Sequence, residues 1–372
     1  MSERSSTSVR VELGPRSYDI LVGTDLLAQV GRIIGDLGRT SHVWVVTDEH
    51  VAPLYLSEVC NSLKEHGLRT DTWIVPAGEP SKSVETAAAG WQSLLDARAD
   101  RGTVVAALGG GVVGDLGGFL AATYARGLRF FQIPTSLLAQ VDSSVGGKAG
   151  INLPQAKNMV GAFHQPMGVV ADVGSLRTLP RREYVSGLGE VVKYGMILDA
   201  PFFSLLEAET EALLRQDADV LGPVVARCCR LKADIVEKDE REESGLRAVL
   251  NYGHTFAHAF ETLTGYGVWL HGEAVAAGMH CAAVLAARLG LLEPEVVARQ
   301  AELLRRLELP TRPPELSPQD VTACMMHDKK VRDGRLRFVL PTEIGHVELI
   351  DSVSPEQVVA ALQAAADDES VF

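Results

Sequence analysis

The chain has 372 residues, 46% of them hydrophobic and 22% charged, which is room for two domains of ordinary size and too apolar for a disordered protein. A formal net charge of −13 excludes wholesale binding to nucleic acid or to an anionic membrane, so any anionic ligand needs a local basic pocket. Five cysteines (Cys60, Cys228, Cys229, Cys281, Cys324) make no CxxC pair, a pattern of reduced thiols and of a cytoplasmic protein.

The N-terminus, MSERSSTSVRVELG, lacks the apolar centre of a signal peptide. HVWVVTDE then reads as a strand, LSEVCNSLKEHG as an amphipathic helix and RTDTWIVPAG as a second strand. ETAAAGWQSLLDARAD is helical, TVVAALGGG is a buried strand ending in glycines, and FFQIPTS is a strand stopped by Pro134. Such alternation predicts a Rossmann-like parallel sheet covered by helices. From about Thr178 the period changes to 3.6, with helices expected over EYVSGLGEVVKYGMI, FFSLLEAETEALL, VLGPVVARCCRLKADIVEKDE, HTFAHAFETL, GEAVAAGMHCAAVLAARLG and PEVVARQAELLRRL. The longest apolar run, Ala274–Ala287, is about fourteen residues, too short to span a bilayer and suited to a buried helix. RLRFVLPTEIGHVELI reads as a small hairpin around Pro341–Gly345. The expectation is an α/β domain over 1–177 and a mainly helical domain over 178–372, with the cleft between them as the default binding place.

Three segments carry chemistry. Gly109-Gly110-Gly111-Val112-Val113-Gly114-Asp115 follows a strand and opens a helix, where bare backbone and unpaired N–H groups can face a pyrophosphate. The GxGxxG match is weak alone, because no acidic residue ends a strand about twenty positions on, and a tight structural turn is the bland alternative. Asp48, ending an earlier strand, could reach a ribose hydroxyl. Pro134–Pro166 interleaves Asp142, Lys148, Asn152, Lys157, Asn158 and His164 with glycines, so its lysines can converge on phosphate or carboxylate oxygens; an ordinary surface loop is the other reading. Finally His254 and His258 share a helix face, His271 follows beside Glu273, and Glu190 lies on an apolar helix with little reason to bury an acid. Four candidate ligands compete for three protein positions of an open zinc site, and spacing does not say which drops out. Hydrogen-bonded core histidines are the plain alternative. HTFAH lacks the glutamate of HExxH, which excludes a zinc protease.

GGGVVGDLGGF, PTSLLAQVDSSVGGK, LPRREYVSGLGEVVKYG, DEREESGLRAVLNYGHTFAHAFE and HGEAV together closely resemble the 3-dehydroquinate synthase family, in order and over nearly the whole chain. The resemblance implies the two-domain fold of those enzymes, bound NAD+, and one divalent cation, zinc or cobalt, held by Glu190, His254 and His271. His258 is then implied as a proton-transfer residue. Glu243 is implied as a second acid–base group; one extra residue between Asp239 and Gly245 leaves Glu242 as its substitute. Substrate contacts are implied for Arg126, Asp142, Lys148, Asn158, Lys193, Lys232, Arg247, Asn251 and either Lys329 or Lys330. Cofactor contacts are implied for Asp48, Glu79, Lys82, the turn Gly109, Gly110, Gly111, Val112, Gly114 and Asp115, then Thr135, Ser136, Lys148, Lys157, Ser175, Leu176, Arg177 and Thr178.

The implied reaction takes 3-deoxy-D-arabino-heptulosonate 7-phosphate to 3-dehydroquinate and phosphate, by transient oxidation, elimination, re-reduction and intramolecular aldol closure. A doubly anionic substrate explains why so acidic a chain gathers these cations. The resemblance also implies a homodimer with no nucleic-acid or membrane partner. A sister sugar phosphate cyclase and a metal-dependent polyol dehydrogenase are the competing readings. Departures are small: Ala257 replaces a usual glycine, Gly189 a usual alanine, and Ser186 a frequent asparagine.

Overall fold

The computed structural model describes residues 6–154, 156–265, 267–327 and 336–367. The chain forms two compact units, Met1–Leu179 with Ala218–Arg241, and Pro180–Asp217 with Glu242–Phe372.

In the first unit the strands are β1 (Thr7–Val11), β2 (Tyr18–Gly23), β3 (His42–Asp48), β4 (Arg69–Val75), β5 (Val104–Gly109), β6 (Arg129–Pro134), β7 (Lys148–Leu153), β8 (Ala156–Phe163) and β9 (Val169–Asp172). Its helices are α1 (Val30–Asp36), α2 (Ser57–Glu65), α3 (Val84–Asp96), α4 (Gly111–Thr123) and, after an excursion of the chain, α8 (Ala218–Lys238). Seven strands make one sheet in the order β1-β2-β9-β6-β5-β3-β4, parallel throughout except for the β1–β2 pair. Strands buried on both faces need apolar residues at every position, and β3 and β5 are built that way. Val43 and Val45 join Val104, Ala106 and Leu108 in one core, while Trp44 and Val46 join Val105 and Ala107 in the other.

The chain runs from β3 outward to β4 and then returns to β5 on the other side of β3. That reversal opens a crevice at the carboxyl ends of β3 and β5, the usual ligand position in open α/β sheets.

The second unit contains α5 (Arg181–Leu198), α6 (Ala200–Ala208), α7 (Thr210–Leu214), α9 (His254–Thr264), α10 (His271–Arg288), α11 (Pro294–Arg306), α12 (Pro318–His327) and α13 (Pro355–Asp367). A hairpin of β10 (Leu336–Glu343) and β11 (His346–Val353) completes it. Helix α10 is buried almost end to end, which small residues allow. A Cβ on Gly272 would lie 1.8 Å from the Ser186 carbonyl oxygen, so α5 and α10 touch backbone to backbone there. No helix among the described residues is long and apolar enough to cross a membrane.

Several sequence expectations change. The units are not the two contiguous stretches 1–177 and 178–372, because α8 packs on β1 and β2 and so joins the first unit. The second half of Pro134–Pro166 forms the β7–β8 hairpin instead of a polar loop. FFSLLEAETEALL breaks into α6 and α7. By contrast, the hairpin expected around Pro341–Gly345 is present, with Pro341 inside β10, paired with Val347, and the turn at Ile344–Gly345.

Candidate metal and cofactor sites

Parallel strands deliver their carboxyl ends to one edge of the sheet, and the residues expected to hold a nucleotide cluster there. Asp48 ends β3, and its Oδ1 accepts from the backbone N–H groups of His50 and Val51 at 2.8 and 2.9 Å, closing the turn. Gly109 ends β5, Gly110 is the residue before α4, and Gly111, Val112, Gly114 and Asp115 fall within its first turn and a half. Thr135 and Ser136 follow β6, with the Thr135 N–H donating to the Gly109 carbonyl at 3.0 Å. Ser175, Leu176, Arg177 and Thr178 form a short helical turn after β9, held where the Tyr55 hydroxyl donates to the Ser175 carbonyl at 2.8 Å.

The glycines there have different reasons. A Cβ on Gly109 would collide with Val113, 2.7 Å away, so that position is set by packing. Gly110 has an ordinary φ of −76°, and a Cβ would meet only Ser136, at 3.4 Å. Nothing inside the chain requires glycine at 110. A bare backbone at the N-terminus of a thirteen-residue helix fits a pyrophosphate.

Beside this turn, the buried Lys82 amine donates to Asp115 Oδ2 at 2.7 Å and Asn158 Oδ1 at 2.5 Å, and lies 3.6 Å from Glu79 Oε1. Asn152 joins the network by donating to Glu79 Oε1 at 2.8 Å and accepting the Asn158 N–H at 2.8 Å. Asn158 sits at φ +55°, a conformation that asparagine tolerates better than most residues. Burial pushes the Asp115 carboxyl above its usual range while Lys82 pulls it back. In the same unit the Lys232 amine on α8 donates to both Oδ1 and the carbonyl of Asp142, each at 2.8 Å. Lys157 is half-buried, whereas Lys148 and Arg126 are exposed cations, Arg126 at φ +65°.

In the second unit, Glu190 of α5, His254 of α9 and His271 of α10 offer ligand atoms all within 4.8 Å of one another, the one such group among the described residues. Both histidine Nε2 atoms lie 3.5 Å from Glu190 Oε1. Ligands held about 2.0–2.1 Å from a tetrahedral cation stand roughly 3.4 Å apart, so the spacing fits a zinc-sized ion. Each imidazole is held from behind. His254 Nδ1 faces the Tyr252 carbonyl at 3.1 Å, and His271 Nδ1 faces Glu261 Oε2 at 3.4 Å. A proton on Nδ1 leaves Nε2 as the free lone pair, which is the tautomer a metal needs.

Burial alone would lower the His271 pKa, but the hydrogen bonds and charges of Glu190 and Glu261 outweigh it and push it up to about 10. The pocket therefore favours positive charge. Lys193, one turn along α5, is buried and ion-paired with Glu190 Oε2. His258 is outside the triad, its ring edge-on to His254 with centroids 5.7 Å apart. Arg247 is buried, with Nε 3.9 Å from Glu242 Oε1; Glu242 and Glu243 are exposed, and Asn251 ends the same short helical turn. Lys329 and Lys330 lie outside the described residues.

Arg182 was not singled out in the sequence, and Ser186 and Glu273 were noted there without a role, yet all three act on the triad through others. Arg182, Ser186 and Glu190 recur every four residues on α5 and so share a face. Arg182 forks onto Glu273 at 2.7 and 2.8 Å, and Ser186 Oγ accepts the Gly272 N–H at 3.0 Å. Glu273 in turn accepts the Leu270 N–H at 2.9 Å. Thus the first turn of α10, which carries His271, is pinned to the helix that carries Glu190. The i, i+4 period of Arg182, Ser186 and Glu190 was the available signal.

With its parallel-sheet unit, switch-point glycine turn and helical unit bearing a Glu–His–His site, the chain has the dehydroquinate synthase-like fold of the sugar phosphate cyclases it matches. The chain superposes on 2-epi-5-epi-valiolone synthase from Streptomyces hygroscopicus, solved with NAD+ and Zn2+ bound, with TM-score 0.87 and 30% identity over 95% of this chain and 97% of that one. Residues 72–186 match the family described as 3-dehydroquinate synthase N-terminal, and residues 187–331 match 3-dehydroquinate synthase C-terminal. The 3-dehydroquinate synthase of Desulforamulus reducens is 49% identical over 95% of this chain and 99% of its own. That of Rhodopirellula baltica is 46% identical over 97% and 98%. The chain belongs to the 3-dehydroquinate synthase family.

Proposed function

We propose that the chain converts 3-deoxy-D-arabino-heptulosonate 7-phosphate to 3-dehydroquinate and phosphate, acting as a carbon–oxygen lyase in the pathway to chorismate. The observation that carries this is end-to-end identity of 46–49% to 3-dehydroquinate synthases. The valiolone-forming cyclase, at 30%, is further away, which favours the dehydroquinate branch over its sister.

The first unit takes NAD+, and the second holds one divalent cation through Glu190, His254 and His271. When bound, these groups supply a reversible hydride acceptor and a Lewis acid for substrate oxygens. The chain's own residues do the rest. The Gly110 turn and Lys82 seat the cofactor's charged and ribose portions, with Asp48 and Asp115 as acceptors. Lys193, Lys232 and Arg247 are buried cations, each already beside a carboxylate, so they are held in place before an anionic substrate arrives. Arg126, Lys148, Asn158 and Asn251 complete the substrate contacts. His258 moves a proton without being tied up as a ligand, a role supported by its ring lying beside that of His254 yet outside the Glu190–His254–His271 group. Glu243 or Glu242 serves as a second acid–base group, and the pairing with Arg247 favours Glu242. The protein works as a homodimer in the cytoplasm.

Purified protein with the heptulosonate phosphate, NAD+ and zinc should release phosphate and 3-dehydroquinate in equal amounts. NADH accumulating without phosphate would instead identify a polyol dehydrogenase. Turnover only of a ketose phosphate lacking the carboxylate would identify a sister cyclase.

A further inference from the structure

Helix α9 presents His254, His258 and Glu261 at i, i+4 and i+7, one continuous stripe. The first meets Glu190 and the second flanks the first, which leaves the third without a part in the chemistry. Its side chain is largely buried, and its Oε2 lies 3.4 Å from His271 Nδ1 on the neighbouring helix. The two histidines of the triad are thus held differently. His254 leans on a backbone carbonyl, which carries a partial charge and cannot be mutated away. His271 leans on a carboxylate.

We infer that Glu261 is a positioning residue for the metal site: its carboxylate fixes the ring of His271 with Nε2 toward Glu190 and adds the negative charge that strengthens cation binding. Carboxylate–histidine–metal relays orient the ring and raise ligand basicity, and losing the carboxylate weakens metal affinity by about 10- to 100-fold. Helix α9 therefore supplies one ligand directly and sets a second through Glu261, so α9 and α10 must stay in register for the site to exist. The inference rests on the reading of Glu190, His254 and His271 as ligands.

The test compares wild type, Glu261→Gln and Glu261→Ala as full-length proteins. Zinc dissociation constants come from competition with a chromophoric chelator, visible spectra from the cobalt-loaded proteins, and melting curves from the metal-free ones. Glu261→Gln keeps the shape and loses the charge, so its zinc dissociation constant should rise about tenfold, with shifted cobalt bands and a metal-free protein that still melts in one cooperative transition. Glu261→Ala should lose more, and where it does not fold the glutamine variant alone decides the matter. Affinity within twofold of wild type and an unmoved cobalt spectrum in Glu261→Gln overturn the inference. Wild-type protein that binds no divalent cation would overturn the ligand reading itself, a separate failure.

Discussion

The two ligand-holding regions are built by opposite means. At the carboxyl edge of the sheet, consecutive residues do the work: Gly109 to Asp115 form one turn, fixed by a strand behind and a helix ahead. In the helical unit nothing is consecutive. Glu190, His254 and His271 come from three helices and meet only because Gly272 lets α10 press against α5, while Arg182 and Ser186 lock that contact. A turn tolerates change in its surroundings; a three-helix site inherits every error in helix placement. The metal region should therefore be the more fragile.

The largest effect should come from removing a ligand. Glu190→Ala should bind no zinc, leave Lys193 buried without its counter-charge, and fall at least about 10³-fold in turnover; zinc measured by mass spectrometry beside phosphate release checks this. Glu261→Gln should follow, with its roughly tenfold weaker zinc binding. For the cofactor side, Gly110→Ala meets only Ser136, so the fold should survive while the KM for NAD+ rises on the order of tenfold. Melting temperature and KM measured together decide it; a large stability loss with an unchanged KM would show that glycine is structural there. The smallest effect belongs to Arg182→Met. Its ion pair with Glu273 is half exposed, so zinc affinity should weaken only about two- to fivefold, read by chelator competition. If Arg182→Met proves more damaging than Glu261→Gln, helix placement and not ring orientation dominates the site.

How legible each region was follows from the same contrast. The alternation in HVWVVTDE and TVVAALGGG exposed the sheet, because buried parallel strands are apolar throughout. The turn was visible because its residues are adjacent. Beginning the strand reading at His42 left out β1 and β2, although TSVRV and YDILVG alternate as half-buried strands do. The β7–β8 hairpin hid behind glycines: Gly150 and Gly161 face each other because a Cβ at Gly161 would lie 2.3 Å from the Ala149 carbonyl oxygen. Periodicity announced α8 as a helix but carried no information about which layer it would cover. For the triad, i and i+4 spacing placed His254 and His258 on one face and could not rank them. What separates them is that His254, and not His258, stands within ligand spacing of both Glu190 and His271, a tertiary fact. Glu261 was readable in principle, one more step along the same stripe, but its partner lies across a helix boundary.

On the proposed assignment, two histidines of three bind the cation and the third moves protons. Zinc content of purified His258→Ala and His271→Ala, measured side by side, tests it most directly. His258→Ala should carry about one zinc per chain, with turnover reduced by about 10²- to 10³-fold, and His271→Ala essentially none. A metal-free His258→Ala beside a zinc-loaded His271→Ala would contradict it.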